Sequence, residues 1–172
     1  MQDFITDFKQ IFWSKLNNNN YNRIIFLCVG TDRVIGDCFG PLVGEKLKSL
    51  IGKMKDIEII GDLEKTICIN DIEKVIKAIK EEVDNPFIIG IDAALDKKDS
   101  IGKIVVDEQG IKVGSGLNKT NFEIGEISVK GIVSYNTGMP KQNFILLQNT
   151  SLGLVNEMAK LTADGIYRAI NV

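Results

Sequence analysis

Apolar positions along the chain follow two rhythms. Ile24 to Val29, Ile57 to Ile60 and Phe87 to Ile91 are short, continuous, β-rich runs, ended by Gly30, Gly61 and Asp92. Runs of this kind predict strands buried on both faces of a parallel sheet. Between them Val43, Leu47, Leu50, Ile51 and Met54, and then Ile72, Val75, Ile76, Ile79 and Val83, recur at helical spacing. Pro41 suits a first helical turn, and Asp71 is placed to open the second helix. The order is β-α-β-α-β, and Asp84-Asn85-Pro86 breaks the second helix before the third strand.

From Gly102 the rhythm changes. Lys103 to Val106, Ile111 to Val113, Glu126 to Val133 and Phe144 to Gln148 read as strands with no helix between them, which predicts a mixed sheet with an antiparallel edge. Leu152, Val155, Ala159, Thr162, Ile166 and Ala169 form a closing helix, with Ser151 or Thr150 as its cap. At the front, Phe4, Phe8, Ile11 and Phe12 make an amphipathic helix, to pack on the core or on a neighbouring subunit. Asn17 to Asn20, with Asn22, reads as a solvated linker. The expected division is therefore an amino-terminal helix and asparagine-rich linker over 1–22 and a single α/β domain over 23–172.

Composition narrows the function. A chain of 172 residues that is 44% hydrophobic is the size of one domain with a substantial core. Its net charge of -2 mixes both signs, with no basic stripe for nucleic acid or for a membrane surface. No apolar run approaches the ~20 residues of a membrane span, so a soluble cytoplasmic protein is expected. Cys28, Cys38 and Cys68 have neither disulfide-framework nor zinc spacing and read as reduced thiols. The chain has no histidine, which removes Ser-His and Cys-His mechanisms. Catalysis would fall to carboxylates, lysine, tyrosine, a thiolate or a metal held by oxygen ligands.

The loop Gly30 to Gly40 lies where the first strand hands over to the first helix, at the carboxyl edge that open α/β sheets use for ligands. Asp37 is its chemical centre. Strands one and three of such a fold commonly lie side by side, so Asp37 and Asp92 would face each other across one crevice. Two carboxyls in that position share a proton, deprotonate a water and protonate a departing group. The plainer alternative is that Asp37 caps the helix near Pro41 and Asp92 organises an exit loop. A third reading is a divalent cation held by Asp37 and Asp92 with Glu64 or Asp62. Thr31, Asp32, Arg33 and Cys38 would sit on the rim, Asp32 and Arg33 as a local ion pair. Cys38 reads as a small buried side chain rather than a nucleophile, since no base accompanies it. Ser115 with Lys119 is too common a pairing to read as a dyad. The loop glycines lack the lysine and hydroxyl of a phosphate cradle.

The segments GTDRVIGDCFGPLVG (Gly30 to Gly44), IIGIDAAL (Ile88 to Leu95), GIKVGSGLNKT (Gly110 to Thr120), GIVSYNTG (Gly131 to Gly138) and LQNTSLGLVNEMA (Leu147 to Ala159) resemble the YyaC-type sporulation proteins of endospore-forming bacteria. That family is similar to the germination protease of spores and, more distantly, to the hydrogenase maturation endopeptidases. The resemblance implies an α/β fold, a three-layer α/β/α sandwich with a mixed, mostly parallel sheet. It implies Asp37 and Asp92 as counterparts of the germination protease's two aspartates, in GDCFGP and IDAA. It also places Gly114, Ser115, Gly116 and Asn118, from the GSGLNK stretch, on the cleft rim. The metal site of the maturation enzymes does not carry over, because Cys38 stands at its glutamate position and histidine is absent. No cofactor is implied. The partner implied is a protein or peptide substrate in the cytoplasm of a sporulating cell or forespore, with homo-oligomerisation left open. The expected activity is an endopeptidase-like hydrolase, and its rival is a catalytically inactive binding or scaffold protein.

Overall fold

A computed structural model of the chain describes residues 2–113 and 122–171. In chain order the elements are α1 (Gln2–Asn17), β1 (Arg23–Cys28), α2 (Phe39–Ile51), β2 (Ile57–Ile60), α3 (Ile72–Glu82), β3 (Pro86–Asp96), β4 (Ile104–Asp107), β5 (Ile111–Val113), β6 (Phe122–Ile124), β7 (Ile127–Tyr135), α4 (Pro140–Gln148) and α5 (Leu152–Ile170). The main sheet has the order β2-β1-β3-β7-β4, and β5 and β6 form a separate hairpin. All pairs in the main sheet are parallel except β4 with β7. Strand order thus reverses between β1 and β3, and the carboxyl ends beside such a switch point are where open α/β sheets place their ligands.

Each face of the sheet has its own core, because successive side chains of a strand point to opposite faces. On one face Phe26, Phe87, Ile89, Ile91, Val129 and Val133 pack with residues of α1, α2 and α5. On the other, Ile25, Leu27 and Ile88 pack with Ile72, Ile76 and Ile79 of α3 and with Ile111 and Ile124 of the hairpin. The result is the α/β/α sandwich expected from the resemblance.

α1 is part of that core. Phe8 and Phe12 are stacked, with ring centroids 5.6 Å apart, and Phe12 meets Phe87 of β3 at 5.7 Å. Trp13 Nε1–H donates to the Ala169 carbonyl at 3.0 Å, fastening α1 to the end of α5. Of the two destinations open to this helix, it takes the core of its own chain.

The asparagine run is exposed, and it is also hydrogen-bonded to its neighbours. Asn18 and Asn19 side-chain amides donate to the carbonyls of Ser14 and Lys15 at the end of α1. The Asn22 amide donates to the Asp84 carbonyl at 2.9 Å, and the Asn85 amide donates to the Asn20 carbonyl at 2.6 Å. Asparagine's two donors satisfy carbonyls that a helix end and a turn leave unpaired, so the segment is stitched to the α3–β3 turn.

Two other expectations are corrected. Phe144 to Gln148 belongs to helix α4, not to a strand. A short apolar run fits either element, and Pro140 at the start of α4, with its fixed φ, decides for helix. Asp92 lies inside β3 rather than at its end, because β7 pairs with β3 as far as Asp96.

Candidate functional site

Glycine allows the loop after β1 to fold back on itself. Gly30 has φ +139°, and a Cβ there would lie 2.0 Å from the Asp37 carbonyl oxygen. A Cβ on Gly40 would lie equally close to the Val29 carbonyl oxygen. These approaches let the Thr31 N–H donate to the Asp37 carbonyl at 3.1 Å, and the chain enters a 3-10 turn over Gly36–Cys38. Gly36 lies against Leu147, so α4 holds this turn from outside. Asp37 is thereby presented, half-buried, at the carboxyl edge of β1.

Asp92 comes from the adjacent strand. Ile88 and Gly90, four and two residues earlier, lie on the face covered by α3 and by Ile111. By alternation Asp92 shares that face. It is half-buried, and its Oδ1 accepts the Ala93 N–H at 2.8 Å. Its register partner on β7 is Lys130, whose Nζ lies 2.6 Å from Asp107 Oδ2 on β4.

Burial and neighbouring charge raise the proton affinity of this group. The Asp92 carboxyl is pushed up to about 8, first by burial and then by the charge of Asp37, while the Ala93 N–H and the Lys130 ammonium oppose the shift. Asp37 is also raised by burial, against a backbone hydrogen bond from Thr31. Since the charge of Asp37 acts on Asp92, Asp37 is the member that ionises first and Asp92 the one that keeps its proton near neutrality. The two carboxyls are thus coupled by charge.

The other residues singled out from the sequence divide. Thr31 Oγ1 accepts the Arg33 N–H at 3.3 Å, while Asp32 and Arg33 are exposed and form no ion pair with each other among the described residues. Cys38 is buried, and burial and then the charges of Asp32 and Asp37 raise its thiol, which keeps it protonated. Gly114, Ser115, Gly116 and Asn118 lie outside the described residues. Asp37 does not cap α2: Cys38 is the residue before that helix, and no side chain bonds its first turn.

Among the described residues no group of three His, Cys, Asp or Glu side chains is arranged to hold a metal ion. Asp62, suggested as a third ligand, is buried and held by Lys48 Nζ and by the Lys65 N–H at 2.6 Å. Lys130 and Asp107 were not apparent from the sequence. A lysine as the one charged residue of ISVKGIV in β7 was the available signal, but only strand pairing shows what it faces.

A mostly parallel sheet between helices, with its order reversing between β1 and β3, is the α/β/α fold of a hydrogenase maturation protease. The NiFe hydrogenase maturation protease HycI from Thermococcus kodakarensis KOD1 superposes with a TM-score of 0.61 at 18% identity, covering 95% of this chain and 98% of that one. The hydrogenase maturating endopeptidase HybD from E. coli gives a TM-score of 0.47 at 13% identity, covering 86% and 91%. The chain belongs to the family described as "Protein of unknown function (DUF1256)", whose model matches residues 2–165. It is 35% identical over 156 residues to the "Uncharacterized protein YyaC" of Bacillus subtilis (strain 168), covering 91% of this chain and 74% of that protein.

Proposed function

We propose that the protein is an endopeptidase-like hydrolase of sporulating cells in which Asp37 and Asp92 activate water against a peptide bond of a protein substrate. What supports this reading is the pairing of β1 with β3, which sets the turn bearing Asp37 next to the strand bearing Asp92, so that burial and the Asp37 charge raise the Asp92 carboxyl. Ionised Asp37 takes a proton from a water as its oxygen attacks the amide carbon, and Asp92 gives its proton to the carbonyl oxygen. On collapse of the tetrahedral adduct Asp37 gives its proton to the departing nitrogen and a hydroxyl proton of the adduct returns to Asp92, which restores both groups. Neither histidine nor metal is needed for this sequence.

A protein substrate is supported by the fold shared with HycI, whose name makes it a maturation protease. The sporulation setting rests on the motifs shared with the YyaC-type proteins. Thr31, Asp32 and Arg33 would border the cleft.

The test is cleavage of protein extracts from sporulating cells between pH 4 and pH 8. Wild type should produce fragments that Asp37→Asn and Asp92→Asn do not. Identical patterns from all three proteins would refute the proteolytic reading and leave the scaffold alternative.

A further inference from the structure

Beyond the carboxyl pair, a line of charged side chains continues across the same face of the sheet. Lys130 on β7 is in register with Asp92 on β3 on one side and with Val105 on β4 on the other. Asp107, two residues beyond Val105 and so on the same face, takes Lys130 Nζ at 2.6 Å. The side chains of Lys130 and Asp107 are 33% and 44% exposed, and ion pairs that open to water add little to stability. What distinguishes this one is its place on the strand next to Asp92.

The geometry points to Lys130 as a positioning residue that sets the ionisation of Asp92, with Asp107 governing how much of the ammonium charge Asp92 feels. The catalytic meaning of this role rests on the reading of Asp37 and Asp92 given above. Lysine is a point charge on a flexible stem, so its position depends on what holds it. Held by Asp107, its charge is largely answered, and Asp92 retains its proton. Released, it would favour the Asp92 carboxylate and remove the acid of the pair. The described groups facing Asp92 are Asp37 from the 3-10 turn, Lys130 from β7, Asp107 behind it on β4 and the Ala93 N–H on its own strand. The first withholds ionisation, and Lys130 and the N–H promote it.

The experiment is a carboxyl titration by NMR of the full chain labelled with 13C at aspartate side chains, with the Asp92 signal assigned by its loss in Asp92→Asn. Lys130→Met should move the Asp92 midpoint upward by about half a pH unit or more, since a favourable charge is removed. Asp107→Asn should move it downward, and Lys130→Arg should keep it near wild type. A Lys130→Met chain with an unchanged circular dichroism spectrum and an unmoved Asp92 midpoint would overturn the assignment. If Lys130→Met does not fold, Asp107→Asn decides: a midpoint that fails to fall, whatever happens to thermal stability, marks the pair as structural only and overturns the inference. No substrate enters the measurement. A shifted midpoint in a chain that cleaves nothing supports the role of Lys130 while the hydrolytic reading fails, and cleavage without the shift overturns this role alone.

Discussion

Asp37, on the turn that follows β1, raises the proton affinity of Asp92 on the adjoining strand β3. The two residues are remote in sequence, and the pairing of β1 with β3 brings their elements together. If this coupling serves hydrolysis, each carboxyl has its own task. Asp37→Asn and Asp92→Asn should each lower the rate of substrate cleavage by about 100-fold or more, the usual scale for removing a positioned acid or base. Progress curves with a fragment-yielding extract would measure this, and residual activity near wild type in either variant would dismiss that residue.

Asp92 also gives folding a pH dependence. Its folded value of about 8 lies above the unfolded range near 4, so the folded chain holds a proton that the unfolded chain has released across that interval. The stabilising effect of that proton is fully present below about pH 4 and is lost as pH rises through about 8. Asn at position 92 does not titrate. The stability of wild type relative to Asp92→Asn should therefore fall steadily from pH 4 to pH 8, as followed by urea unfolding. A difference that stays constant across this range would mean that Asp92 is an ordinary carboxylate.

The turn that presents Asp37 depends on a missing side chain. Alanine at Gly30 would need φ +139° and would place its Cβ 2.0 Å from the Asp37 carbonyl oxygen. Gly30→Ala should cost about 1–3 kcal/mol of stability and displace Asp37, since backbone rather than a flexible side chain must yield. Denaturant midpoints and the Asp92 titration would both register the change. A neutral substitution would contradict the packing described.

Phe8 is wholly buried, in contact with Phe4 and Phe12. Phe8→Ala should cost about 3–5 kcal/mol, in line with other buried aromatic truncations. An unchanged unfolding midpoint would show α1 to be an appendage after all.

The Ser128 hydroxyl is buried without a hydrogen-bond partner among the described residues. Its removal sacrifices no bond, so Ser128→Ala should be neutral or stabilising by up to about 1 kcal/mol in thermal unfolding. A clear loss of stability would reveal a partner for that oxygen.

What the sequence disclosed depended on range. The buried strands Ile24 to Val29 and Phe87 to Ile91 and the helix around Val75 to Ile79 were legible because each carries its own periodicity. Asp37 and Asp92 stood out in the sequence because each is a lone carboxylate in an otherwise uncharged stretch near the carboxyl end of an apolar run. Lys130 was not, since its role depends on a cross-strand register that no local pattern encodes. Phe144 to Gln148 misled because four or five apolar residues satisfy a strand and a helix turn alike. The asparagines were legible as a break in secondary structure, but their hydrogen bonds were not, since the partners Asp84 and Asn85 are distant in sequence.

The measurement closest to the centre of this account is the Asp92 carboxyl titration in wild type and in Asp37→Asn. A wild-type midpoint near 8 that drops when the Asp37 charge is removed is the expected result. A midpoint near 4 in both proteins would contradict it, for the two aspartates would then ionise independently and could not divide the roles of base and acid.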